Sequence, residues 1–89
     1  MIRRDITLTN RLGLHARAAS KLVQCASRHA CDVWVERQSR RVNAKSIMGV
    51  LLLAAPCGTE LVVECDGADE EAAMNEIIAL IEDRFGEGE

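Results

Sequence analysis

The chain has 89 residues, 48% of them hydrophobic and 28% charged, and a formal net charge of -3. That length allows a single domain, residues 1–89, with a small core and little room for a deep substrate pocket. The composition excludes a chain disordered throughout, and with one Trp, one Phe and no Tyr the core has to be aliphatic.

Charge is unevenly shared. Residues 1–59 carry ten Lys and Arg against three acidic residues, a balance of +7, and residues 60–89 carry one Arg against eleven, a balance of -10. A surface of that kind attracts an anion or an acidic partner. The plainer reading is that folding mixes the charges in space. Residues 1–5 run straight into an alternating segment, so no signal peptide is expected. The longest apolar stretch, residues 50–56, is too short to span a bilayer. A cytoplasmic protein with no membrane association is the expectation.

Residues 5–9 alternate, with Ile6 and Leu8 on one face of a half-buried strand. Asn10, Arg11, Leu12, Gly13 and Leu14 break the pattern as a loop. Ala16, Ala19, Leu22, Val23 and Ala26 then recur in steps that place them on one helix face, over residues 16–28. Val33 and Val35 share a face of a second strand, Gln38 and Ser39 make a tight turn, and residues 41–44 form a short return strand. Ser46, a favoured N-cap, precedes a short helix containing Gly49. Residues 56–59 form a turn. Leu61, Val63 and Cys65 mark a further strand, which Gly67 ends. Asp69, Glu70 and Glu71 open a last helix at the positive end of its dipole, with Ala73, Ile77, Leu80 and Ile81 as its buried stripe. Phe85 closes it and residues 86–89 are expected to fray.

Each strand has one apolar face, so the expected fold is α+β. It is an open-faced β-sandwich of order βαββαβα, with an antiparallel sheet and helices on one side. Cys25, Cys31, Cys57 and Cys65 lack the close spacing of a zinc or redox site, and read as small buried or half-buried residues in a reducing compartment. No metal and no cofactor are called for.

Chemistry concentrates where the first loop meets the first helix. A helix start presents unpaired amides and a positive dipole end, a natural seat for a phosphate. Gly13 lets the backbone turn sharply, His15 is placed over the amides of Ala16 and Arg17, and Arg17 adds a fork of charged donors. Neutral imidazole is nucleophilic, and much of it is neutral near pH 7. A lone His-x-Arg is a weak signal, however, and on residue chemistry alone the balance leans to His15 as a simple cap and Arg17 as a solvated side chain. His29, at the far end of the same helix, reads as structural. Ser46 is a cap by default. As a phosphorylation site it gains nearly two negative charges at a helix start that tolerates them. Ile47, Met48, Leu51 and Leu52 exceed what one short helix buries. Core packing accounts for most of them, and the sharper reading leaves Ile47 and Met48 exposed as a docking patch rimmed by Lys45, Arg17 and Lys21.

Residues 10–17 (NRLGLHAR), followed thirty-odd residues later by residues 42–50 (VNAKSIMGV), resemble HPr, the histidine-containing phosphocarrier family of the bacterial phosphoenolpyruvate-dependent phosphotransferase system. The resemblance covers nearly the whole chain, and the two motifs are specific together. It implies four antiparallel strands with three helices. It implies that enzyme I phosphorylates Nδ1 of His15, that Arg17 assists, and that a IIA protein or domain receives the phosphoryl group for sugar uptake or regulation. It also implies that Ser46 is the position an HPr kinase/phosphorylase modifies. The carrier is stoichiometric rather than a turnover enzyme, and a monomer is expected. The family usually has proline after the arginine where this chain has Ala18, so a slightly less preorganised helix start is expected. The rival readings are a regulatory nitrogen-branch member and, in another class, a small nucleic-acid-binding module, against which the scarcity of aromatics argues.

Overall fold

Four strands and three helices follow one another in the computed structural model, which describes residues 1–88. They are β1 (Ile2–Thr7), α1 (Ala16–Ser27), β2 (Asp32–Arg37), β3 (Arg40–Asn43), α2 (Ile47–Leu52), β4 (Glu60–Asp66) and α3 (Glu70–Glu82), and a 3-10 turn, Arg84–Gly86, follows α3. The sheet has the order β1-β4-β2-β3, and every neighbouring pair is antiparallel. The α+β open-faced sandwich expected from the alternation is therefore the observed fold.

Register assigns the two faces. Val33 pairs with Cys65, and Val35 pairs with Val63 on one side and Val42 on the other. Ile6 pairs with Leu61. Directly opposed residues share a face, so these side chains form one apolar layer, and all but the half-buried Val42 and Ile6 are buried. The other face is open and polar. There Glu64 accepts from both Arg3 and Arg41, and the Arg41 guanidinium lies 4.5 Å over the Trp34 ring.

The helices cover the apolar face, α3 against β1 and β4, α2 against β3, and α1 against both other helices. Because α1 has two helical neighbours, its buried stripe is Ala18, Ala19, Leu22, Cys25 and Ala26. Ala16, expected inside, is exposed at the helix tip, and Val23 is half-buried. Met74 takes the buried place that was expected of Leu80 on α3. Cys57 departs from its expectation by being exposed, whereas the other three cysteines are buried.

In helix α2 the expectation that core packing accounts for most apolar residues does not hold, and Ile47 and Met48 are exposed, as in the sharper reading. Core packing takes only Val50 fully; Met48 is 67%, Leu52 60% and Ile47 39% exposed. The helix is held by its ends instead. Ser46 Oγ accepts the Gly49 amide at 3.2 Å, the N-cap read from the sequence. At the far end Arg37 donates to the carbonyls of Leu53 and Ala54, and Arg40 to that of Leu52, satisfying acceptors that the helix leaves open. With both ends pinned, its apolar face can stay in solvent.

Helix α3 is also tied at its start. Asp69 makes no capping bond to its own helix. Its carboxylate reaches across to the amides of Ala30 and Cys31, each at 2.9 Å. Among the described residues, no helix is long and apolar enough to cross a membrane.

Candidate functional site

The site is built on a loop that the core holds from behind. Gly13 has φ +64, and a Cβ there would lie 2.8 Å from Pro56 Cα, so only glycine fits the turn without strain. The Leu14 amide donates to Ala55 at 2.9 Å, and the Leu14 side chain is buried. His15 is then delivered to the surface at the N-cap of α1 with extended backbone, φ -73 and ψ 177. Its carbonyl accepts the Ala19 amide at 2.8 Å, closing the first turn.

The imidazole has two different edges. Nδ1 accepts the backbone N–H of Arg17 at 3.3 Å, a long and weak bond. Nε2 is paired with the carboxylate of Glu87. The side chain stays 27% exposed. Substituting Ala18 for the family's usual proline leaves a regular helix start, and the Ala18 methyl is fully buried.

A shallow cleft surrounds the ring. Arg11, Leu12, Arg17 and Lys21 line it from the loop and α1, and Gly86 and Glu87 from the tail. The Arg17 side chain is exposed and makes no hydrogen bond or ion pair among the described residues. Its guanidinium is available to an incoming anion. Lys21 donates to the Phe85 carbonyl at 2.5 Å, so its charge faces the same cleft from a fixed position.

The tail departs most sharply from expectation. Residues 86–89 were expected to fray, but the structure sets Glu87 back against the start of α1. Phe85 is buried, with φ 55, and turns the chain back towards α1. Glu87 then meets both His15 and Asn10, whose Nδ2 donates to Glu87 Oε1 at 3.0 Å and to the Gly13 carbonyl at 2.7 Å. Burial pushes the Glu87 carboxyl up, but the bonds from Asn10 and His15 and the nearby charge of Lys21 outweigh it and hold it below the usual carboxylate range. Glu89 lies outside the described residues.

The other residues singled out in the sequence are spread along α1 and α2. Ser46 is exposed, as are Ile47 and Met48, while Leu51 and Lys45 are half-buried. The Lys45 ammonium donates to the His29 carbonyl at 2.8 Å. That anchors it near the end of α1 opposite His15, about 18 Å along the helix at 1.5 Å per residue. A continuous charged rim of Lys45, Arg17 and Lys21 is therefore not what forms. His29 has its ring mostly buried, 3.0 Å from a Glu76 carboxylate oxygen and 3.4 Å from one of Asp69. Among the described residues, no cluster of His, Cys, Asp and Glu is arranged to hold a metal.

Sequence reasoning missed the parts played by Glu87 and Asn10, and the exposure of Leu12 and Leu52. Glu87 sits between two glycines at the end of a chain, and no periodicity marks it. Asn10 looks like any loop asparagine until its partner 77 residues away is known.

The site is a surface histidine at a helix start on an open-faced α+β sandwich, and the comparisons make the chain a small phosphocarrier domain. A family model described as the PTS HPr component phosphorylation site matches residues 2–83. The phosphocarrier protein HPr of Cupriavidus necator is 53% identical over 89 residues, all of both chains. A crystal structure of HPr-C-His from Thermoanaerobacter tengcongensis superposes with a TM-score of 0.95 at 42% identity, over 98% of each chain. An HPr dimer from the same organism superposes at 0.79, covering 98% of this chain and 100% of that one, also at 42% identity. The chain belongs to the HPr family of phosphocarrier proteins of the phosphotransferase system.

Proposed function

We propose that His15 is the residue that carries the phosphoryl group, taking it on Nδ1 from enzyme I charged by phosphoenolpyruvate and passing it to a IIA protein or domain. The observation that carries this reading is the direction of Nδ1, towards the Arg17 amide at the open start of α1. The Nδ1 lone pair attacks phosphorus, and the bond to the donor's leaving atom breaks with its electron pair. The three phosphoryl oxygens then need donors. The Ala16 amide has no partner within the helix, the Arg17 amide is released as phosphorus takes its place on Nδ1, and the Arg17 guanidinium adds charge. Donors at an exposed helix tip steady the group without enclosing it, which suits a carrier that has to release it again. The partner completes the reaction site. The chain acts stoichiometrically, as a cytoplasmic monomer without a cofactor.

Docking uses the apolar surface of α2. Ile47 and Met48 are its exposed centre, Leu51 its half-buried floor, and Lys21 and Lys45 supply positive charge at separate ends, facing acidic partners. Ser46 heads the same helix. Phosphorylation there by an HPr kinase/phosphorylase puts nearly two negative charges beside Ile47, repelling an acidic donor while leaving the helix start stable. The test is incubation with enzyme I and labelled phosphoenolpyruvate. Native chain should take up acid-labile, alkali-stable label and His15→Ala none; equal labelling of both overturns the assignment.

A further inference from the structure

We infer that Glu87 is a positioning residue for His15, holding the ring as the tautomer that carries its proton on Nε2 and keeps a lone pair on Nδ1, which attacks phosphorus once the long bond from the Arg17 amide opens. The inference rests on His15 being the phosphoryl acceptor.

Three contacts carry it. A carboxylate accepts only, so its bond to Nε2 requires the proton to sit on that nitrogen. On the other edge the Arg17 N–H donates to Nδ1, which requires a lone pair there. The two contacts select the same tautomer. Glu87 is itself fixed, because the fully buried Asn10 amide donates one hydrogen to it and the other to the Gly13 carbonyl. Phe85, buried beneath, and Lys21, bonded to the Phe85 carbonyl, hold the returning tail. The arrangement has the logic of a histidine oriented by a carboxylate in catalytic triads and metal sites.

The chemistry of transfer gives the carboxylate a second use. When a neutral ring with an Nε2 proton forms the Nδ1–P bond, the donor's own bond to phosphorus breaks and its electron pair leaves with the donor (with phosphoramidate, as ammonia), and the ring becomes a cation. The Nε2 proton stays in the bond to Glu87, whose negative charge balances it. The same pairing covers Nε2 and disfavours phosphorylation at that atom. Glu87 lies beyond residue 83, where the match to the family model ends, so this support belongs to the tail.

The test compares the native chain with Glu87→Gln, and with a chain ending at Gly86, using phosphoramidate as a small phosphoryl donor that needs no partner protein. Imidazole nitrogen NMR at a pH where the ring is neutral should show the Nε2–H form more dominant in the native chain than in either variant, where only the long Arg17 amide bond still selects it. Phosphorylation of His15 should slow about tenfold in the variants, the lower end of what losing a carboxylate partner does to a ligating histidine, and phosphate on Nε2 should become detectable. Thermal unfolding of Glu87→Gln near the native midpoint separates this from misfolding. Native labelling at Nδ1 with unchanged tautomer and rate in the variants overturns the role of Glu87 alone. Absence of label on His15 in every chain, native included, overturns the phosphoryl-acceptor reading beneath it.

Discussion

The guanidinium of Arg37 lies 2.8 Å from the carbonyl oxygen of Leu53 and donates to it, joining the end of β2 to the end of α2. A second bond from the same nitrogen reaches Ala54 at 3.2 Å. These are charged donors on acceptors that α2 cannot satisfy itself, so Arg37→Ala should lower stability by about 1–2 kcal/mol. Urea unfolding measures this. Because Leu52 and Met48 are already exposed, the loss should come with little change in the slope of the transition.

The Ser46 cap is worth about 1 kcal/mol. Ser46→Ala should lose that amount in the same assay, and Ser46→Asp should keep most of it, since aspartate accepts an amide and its charge suits the helix start. An Asp variant as unstable as the Ala variant would show that the bond to Gly49 does not hold the helix.

Removing the Phe85 ring should cost about 3 kcal/mol, the scale for a fully buried aromatic replaced by alanine. Phe85→Ala should also release the turn that brings Glu87 back. The exchange of the Leu22 amide, whose side chain shares the core with Phe85, should quicken in step with global stability. Unchanged stability would mean that the tail is only laid on the surface.

Acid should loosen the molecule through Asp69. The Ala30 amide chiefly, opposed by some desolvation and helped by the Cys31 amide, lowers its carboxyl from 3.8 to about 2. A folded-state value below the unfolded one means that the stabilisation is complete above about pH 4. It is lost as pH falls from there towards 2. Asp69→Asn should flatten the stability profile in that window and leave the slope above it unchanged. A native profile already flat there would contradict the Ala30 and Cys31 bonds.

Docking can be separated from folding at Met48, which is 67% exposed. Met48→Glu should leave stability within about 0.5 kcal/mol of native. It should weaken binding to enzyme I at least tenfold, because a charge replaces an apolar contact facing an acidic partner. Titration with enzyme I measures the second effect, and unchanged binding removes Met48 from the interface.

The parts of this molecule readable from its sequence are those decided by near neighbours. Val33 with Val35, and Leu61 with Val63 and Cys65, alternate because one sheet face is covered, and both sets are buried as expected. Ser46 lies three residues before the amide it caps. The loop ahead of α1 and the helix start at Ala16 were legible for the same reason. What escaped depends on partners distant in sequence. Arg37 and Arg40 look like hairpin solubilisers until α2 ends beside them. Asp69 looks like a helix cap until the α1–β2 loop offers it two better-placed amides. The stripe on α1 shifts to Ala18 and Cys25 because two helices, not one, pack against it. Glu87 reads as a loose end because nothing within ten residues needs it; Asn10 and His15 do.

The most direct test of the account is the nitrogen to which phosphorus is bonded. Protein labelled with nitrogen-15 in its histidines, phosphorylated by enzyme I and phosphoenolpyruvate, should show one phosphorus–nitrogen coupling, to Nδ1 of His15. Coupling to His29 or to Nε2 of His15, or phosphate found only on Ser46, would contradict it.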